Sequence, residues 1–339
     1  MLTAARPWQS AWVSLLLVGS LLAGAGIGHL WPAAGEALGD EVDRTLLALV
    51  GLLFFGVRLE AVARIRGRLR VLGLILLANY LIVPAIGYAI AALLLPAQPL
   101  VMVGLTIYFM APCTDWFLGF TRLARGNVAL GTALIPINMA AQLLLYPAYL
   151  YLFTRSSVEV QPGVIGGTLL QWFVAPLGAA VLAHYGLRAL LGAERFARLL
   201  RRADQATPWV IALLVMEIFA ANIPVILAHR GVFAWVLLAV FVFFAATFLL
   251  GEGLGRLGRL AYPDHALLTM SIAARNAPLM LAVTMAALPG QPLVYVALVI
   301  GMLVEFPHLT VLQRVLLGRH LHAVPAAGPA SSGAMPPAA

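Results

Sequence analysis

The sequence predicts an all-α membrane protein of ten transmembrane helices, arranged as two inverted five-helix repeats. Three observations predict it. First, the 339 residues are 63% hydrophobic and only 10% charged, with a mean hydropathy of +0.98. A soluble domain carries roughly 25% charged residues, so this surface is built for lipid. Second, apolar runs recur at spanning length. Third, arginine clusters alternate between the connections.

A span needs about 20 mostly apolar residues. Ten runs qualify, at about 10–31, 45–62, 70–95, 99–122, 127–153, 163–188, 208–228, 231–252, 266–288 and 291–316. The first follows Arg6, and its apolar stretch is longer than a cleaved signal core, so it is read as a span. The second follows the acidic segment of Glu36, Asp40, Glu41 and Asp43. Runs three and four share the charge-free stretch 71–114, with Pro96 and Pro99 marking the turn between them. Run five carries Pro136 and Pro147. Run nine is separated from run ten by Leu288-Pro289-Gly290-Gln291-Pro292.

Arginine counting sets the orientation. Even-numbered connections hold Arg64, Arg66, Arg68 and Arg70; Arg122 and Arg125; Arg188, Arg195, Arg198, Arg201 and Arg202; and Arg256 and Arg259. Odd-numbered connections hold only Arg44, Arg155 and Arg230. Both termini are therefore expected in the cytoplasm, with the chain in the cell (inner) membrane. A transporter domain is expected over 1–318, with repeat one at about 10–153 and repeat two at about 163–316. Residues 319–339, rich in Ala, Pro, Ser and Gly, are expected to form a disordered cytoplasmic tail.

Several classes are excluded. The net charge is +8, but the arginines lie in short clusters between apolar runs, which is not a nucleic-acid-binding stripe. Cys113 is the only cysteine, so neither an internal disulfide framework nor a cysteine metal cage is possible, and no cofactor or metal is expected. Paired catalytic groups at a membrane face are lacking, which argues against an intramembrane enzyme. The helix count disfavours a seven-helix receptor.

Five-helix halves of opposite orientation are a plan used by secondary transporters, whose binding sites lie at interrupted helices near the midplane. Runs four and nine each carry such an interruption: Met110-Ala111-Pro112-Cys113-Thr114-Asp115-Trp116 and Ser271-Ile272-Ala273-Ala274-Arg275-Asn276-Ala277-Pro278. Ionisable groups within spans are expensive and functional by default; here they are Asp115, Glu217, Arg275 and Glu305. Arg275 is expected to neutralise Asp115 or Glu305 if runs four, nine and ten meet. Glu305 is a candidate proton carrier, and His308, three residues on, is read as packed or lumen-facing. Cys113 follows Pro112 at the expected break, beside Thr114 and within reach of Arg275 and Asn276. Asn138 and Gln142 are read as cavity-lining, whereas Asn79 and Asn222 are read as bonding neighbouring helices.

Four segments carry a family resemblance. Ala111-Pro112-Cys113-Thr114-Asp115-Trp116, Leu123-Ala124-Arg125-Gly126-Asn127, Ala274-Arg275-Asn276-Ala277-Pro278-Leu279 and Val299-Ile300-Gly301-Met302-Leu303-Val304-Glu305-Phe306-Pro307 resemble the arsenite permeases of the arsenical-resistance-3 family, within the bile acid/sodium symporter superfamily. The resemblance implies ten helices in panel and core domains, with helices four and nine broken and crossing. It implies export of arsenite, and of antimonite in related members, in exchange for protons, with the family's functional cysteine and glutamate at Cys113 and Glu305. Thr114, Arg275 and Asn276 are the further substrate-binding candidates, and Asp115 the further proton-coupling candidate. In the sodium-coupled branch the broken ninth helix supplies a glutamate and a glutamine to sodium, where this chain has Ser271 and Arg275. The alternative is a sodium- or proton-coupled symporter of a small organic anion, its carboxylate held by Arg275 and helix N-termini. The sequence leaves the oligomeric state open.

Overall fold

A computed structural model describes residues 7–56, 67–114, 116–154 and 174–323, and every regular element among them is helical. The elements are α1 (Pro7–Leu30), α2 (Pro32–Gly39), α3 (Val42–Phe55), α4 (Leu69–Leu77), α5 (Val83–Leu94), α6 (Pro99–Met110), α7 (Phe117–Leu123), α8 (Val128–Thr154), α9 (Ala175–Ala228), α10 (Phe233–Leu257), α11 (Tyr262–Ala273), α12 (Ala277–Ala287) and α13 (Pro292–Ala323).

Among the described residues, five helical stretches are individually long and apolar enough to cross a bilayer: Trp12–Leu30, Leu69–Leu94, Ala175–Ala228, Arg230–Leu257 and Pro292–Leu321. A sixth is the bent pair Val128–Gln142 and Leu144–Phe153, which meet at 52°. The bend has an identifiable cause, because the ring of Pro147 clashes with the carbonyl four residues earlier. Large apolar side chains such as Leu15, Leu93, Leu182, Leu249 and Leu257 stand exposed on the outside, as lipid-facing residues do. The chain is a multi-pass membrane protein. The second and sixth expected runs extend into 57–66 and 155–173, which lie outside the described residues.

Two groups of helices build the molecule. In one, α9 packs against α1, α2 and α3; in the other, α4–α8 and α10–α13 pack around α6 and α13. Helix α13 joins them, touching α1 and α9 on one side and α6, α7, α10, α11 and α12 on the other.

The structure differs from the sequence reading in three places. The arginine-rich stretch after Arg188, expected as a loop, is helical within α9 and is interrupted only at Gly192, where φ is 73°. Its Ala, Leu, Arg and Glu residues are good helix formers, and Phe196 and Leu200 bury an apolar stripe. Helix α13 runs past the expected boundary at 318 to Ala323. Arg319 pairs with Glu252 at 2.9 Å, and His320 stacks on Tyr262 at 3.8 Å, so this last turn is anchored; 324–339 lie outside the described residues. The third run is divided by a π-helical turn, Ala78–Ile82. Pro84 lacks an N–H and its ring displaces the carbonyl of Tyr80, which accepts the Tyr149 hydroxyl instead.

Candidate functional site

The site is built where two helices stop short. Pro99–Met110 and Ala277–Ala287 are too short to span alone. Runs four and nine are broken at Ala111–Thr114 and Ala274–Asn276. Pro112 and Pro278 each withhold a backbone donor, and in an apolar interior the groups so freed must find partners. They find each other. Pro112 and Arg275 form an antiparallel bridge, closed by Cys113 N–H to Ala274 O at 3.0 Å and Asn276 N–H to Ala111 O at 2.9 Å.

Side chains complete the crossing. Gln142 on α8 donates to Pro112 O at 2.6 Å and accepts from Asn276 Nδ2 at 3.1 Å, while Asn276 Nδ2 also reaches Thr114 Oγ1 at 2.9 Å. Gln142 thereby clamps both breaks from one helix. Asn138, one turn before it, is fully buried; its Oδ1 accepts from Tyr80 and its Nδ2 has no protein partner. The thiol of Cys113 is buried and lies within electrostatic reach of Tyr108 and Arg275.

Arg275 is fully buried, yet its guanidinium contacts no carboxylate among the described residues. Nη1 donates to Phe109 O at 3.0 Å; Nη2 faces Ser271 O at 3.0 Å, Ile272 O at 2.8 Å and Asn79 Oδ1 at 3.2 Å. Phe109 is in the last turn of α6, and Ser271 and Ile272 are in the last turn of α11. These carbonyls are the unpaired, electronegative ends of two helices. Burying an unpaired ion costs several kcal/mol, and here charge-assisted hydrogen bonds to two helix ends offset it. Asn79 is oriented by its own bond to Ser271 Oγ at 2.9 Å.

Glu305, also fully buried, is held by three donors. Oε1 accepts the Trp116 indole N–H at 2.8 Å and the backbone N–H of Arg275 at 2.9 Å, and Oε2 lies 3.1 Å from the Tyr108 hydroxyl. The same hydroxyl lies 3.0 Å from Gly301 O. One hydroxyl hydrogen cannot serve both acceptors at full strength. With Glu305 ionised it turns to the carboxylate. With Glu305 protonated, the acid can donate to Tyr108, which then donates to Gly301 O. The nest accommodates either state.

The structure therefore gathers Cys113, Thr114, Asn138, Gln142, Arg275, Asn276 and Glu305 around one crossing. The expected meeting of runs four, nine and ten occurs, but Arg275 meets Glu305 through its main chain rather than its guanidinium. Asp115 lies outside the described residues. Glu217 sits apart, buried on α9 and bonded to Thr45 at 2.9 Å. His308 is packed, stacked on Phe244 at 3.9 Å. Asn79, Tyr108 and Trp116 also belong to the site: Asn79 bonds Ser271 of a neighbouring helix, as expected of it, Tyr108 was legible only as a polar group within a span, and Trp116 was not among the expected site residues. Among the described residues no three His, Cys, Asp or Glu side chains gather to hold a metal.

Two broken helices crossing about a buried polar centre in a lipid-facing bundle define the class of a membrane transporter. The model of the Sodium Bile acid symporter family matches residues 46–229, more than half of the chain. This chain belongs to that family, and it is a transporter rather than an enzyme. It is also 23% identical, over 278 residues, to the arsenical-resistance protein Acr3 of Corynebacterium glutamicum, a match covering 77% of this chain and 74% of that relative.

Proposed function

We propose that this chain exports arsenite, and by the same chemistry antimonite, from the cytoplasm in exchange for protons. One observation carries the reading: a single peptide unit joins its two principal groups. The Ala274 carbonyl accepts the N–H of Cys113, and the Arg275 N–H of the same peptide donates to Glu305. Such chained hydrogen bonds polarise one another, so a change at either end is felt at the other. A soft thiolate suits a trivalent metalloid, and one thiol, unlike three, permits release. In this reading Cys113 contacts the metalloid, Thr114, Asn276 and Arg275 shape its site, Asn138 and Gln142 line the cavity, and Glu305, with Asp115, couples to protons. The similarity to an arsenical-resistance protein supports the solute.

The architecture that goes with this function is ten spans, the last within the helix that ends at Ala323, as two inverted repeats forming panel and core, with both termini cytoplasmic in the inner membrane. The arginine asymmetry and the paired breaks support it. Rocking of one helix group against the other would expose the crossing alternately to each side.

The family's description favours a second reading, sodium- or proton-coupled symport of a small organic anion. Against it, four oxygens already engage the two terminal nitrogens of the Arg275 guanidinium, so a carboxylate would be left mainly the buried Nε, which has no protein partner. Arsenite accumulation in arsenic-sensitive bacteria separates the two. Wild type should lower accumulation, and Cys113→Ser and Glu305→Gln should restore it. Export by both variants at the wild-type rate, or sodium-dependent carboxylate uptake by the wild type, would sink the arsenite reading.

A further inference from the structure

The nest around Glu305 is closed on one side by a cleft that the crossing itself does not use. The cleft, of about 150 Å³, lies between the two helix groups. Val13 and Leu17 of α1 and Thr207, Pro208 and Ile211 of α9 form one wall; Met302, Phe306 and Trp116 form the other. Asp204 also lines it, close in sequence to Arg201 and Arg202, on the side that arginine asymmetry assigns to the cytoplasm. It thus approaches Glu305 along the boundary where two rocking groups would separate.

Trp116 stands between cleft and carboxylate. It follows the break of run four and leads directly into α7. Its ring lies against Phe306, centroids 4.8 Å apart, and forms part of the cleft wall. Its indole N–H, 2.8 Å from Oε1, faces Glu305. An indole presents a broad apolar body and a single donor, so one side chain both seals an opening and bonds what lies behind it. Tyr108 cannot do this, because it is fully buried and reaches Glu305 from α6.

We propose that Trp116 is the gate on the cytoplasmic route to Glu305: the indole seals the carboxylate from the cleft, and its hydrogen bond to Oε1 biases that gate shut. The gate rests on Glu305 being the group that must be reached, but not on the identity of the solute. With Glu305 ionised, the hydrogen bond from Trp116 favours the closed position by roughly tenfold or more. Trp116 is a positioning residue here, acting through access to Glu305.

Access can be read without transport. Purified full-length protein would be treated with a water-soluble carbodiimide, and adduct formation followed by mass spectrometry on the peptide holding Glu305, with the exposed Glu36 as internal reference. Wild type should label slowly at Glu305. Trp116→Phe, which keeps an aromatic seal and loses the donor, should label about tenfold faster, and Trp116→Ala faster still. Adding Thr207→Trp to Trp116→Ala should fill the cleft and return labelling toward the wild-type rate. Equal labelling in wild type and Trp116→Phe would overturn the gate, as would rapid labelling that survives Thr207→Trp. Failure of Trp116→Ala to fold would leave the decision with Trp116→Phe. If labelling follows this order while Glu305→Gln exports arsenite normally, Trp116 seals Glu305 as proposed, but the coupling role of Glu305, and with it the gate's part in transport, falls.

Discussion

Cys113 and Glu305, 192 positions apart in the sequence numbering, are joined through one peptide plane: the Ala274 carbonyl takes the Cys113 N–H at 3.0 Å, and the Arg275 N–H reaches Glu305 at 2.9 Å. Neither bond uses a side chain of Arg275. The guanidinium instead fastens the ends of α6 and α11 around that plane, so its removal should act mainly on the scaffold. Arg275→Met would leave Phe109 O, Ser271 O and Ile272 O without this donor, and each such buried group costs about 1–3 kcal/mol. Thermal unfolding in detergent should show Arg275→Met strongly destabilised, with Arg275→Lys intermediate because an ammonium retains charge and some donors. A Met variant as stable as the wild type would show that the guanidinium does not hold the two ends.

Much of this arrangement was legible in the sequence. The breaks were marked by Pro112 and Pro278, and deep ionisable groups had to be buried away from lipid, as Arg275 and Glu305 are at the crossing and Glu217 is on α9. What could not be read was direction. Arg275 was expected to neutralise Asp115 or Glu305; with Glu305 its guanidinium does not pair, because a helix that ends inside the bundle exposes carbonyls that compete for the same cation. That competition appears only once both helix ends are placed. Asn79 was obscured for a related reason: its helix looks plain until the π turn before Pro84 is seen, and such turns re-aim side chains. The extension of α13 to Ala323 depends on Glu252 and Tyr262, which are distant in sequence.

Gln142 spans both breaks, and its two bonds make opposite demands. Its Nε2 serves Pro112 O and its Oε1 serves Asn276. Gln142→Leu removes both, while Gln142→Glu keeps an acceptor for Asn276 and loses the donor to Pro112. The Leu variant should lose about 2–3 kcal/mol of stability. The Glu variant should fare no better in transport, because its charge faces the Pro112 carbonyl. Melting curves and arsenite export on the two variants check this; wild-type transport by Gln142→Glu would show that the donor to Pro112 is dispensable.

The start of α11 is pinned by a buried acid with two unequal partners. Asp264 accepts from Asn127 Nδ2 at 2.7 Å and pairs with Arg68 at 2.8 Å, and Asn127 Oδ1 also accepts the N–H of Leu130 at the start of α8. Arg68 is 54% exposed, so solvent screens its pair, and Arg68→Ala should cost about 0–1 kcal/mol. Asn127→Ala removes a helix cap together with the bond to Asp264, and should cost about 1–2 kcal/mol. Unfolding of the two single variants should show this order; a larger loss for Arg68→Ala would reverse the assignment.

Tyr108 reaches Glu305 only because Gly301 leaves room. A Cβ at Gly301 would stand 2.7 Å from the Tyr108 ring, closer than side chains tolerate, and the ring is enclosed in the core. Gly301→Ala must therefore move the ring, and with it the hydroxyl placed between Gly301 O and Glu305 Oε2. Tyr108→Phe removes the hydroxyl and leaves the ring in place. The two substitutions differ in packing but share one loss, so a common defect isolates the hydroxyl. Both should slow proton-coupled export, and Gly301→Ala should in addition lose about 1–3 kcal/mol from overpacking. Export driven by an imposed proton gradient in proteoliposomes, set beside the melting temperature of each variant, separates the two effects. Normal export by Tyr108→Phe with impaired export by Gly301→Ala would assign the defect to packing and remove the hydroxyl from the proton path.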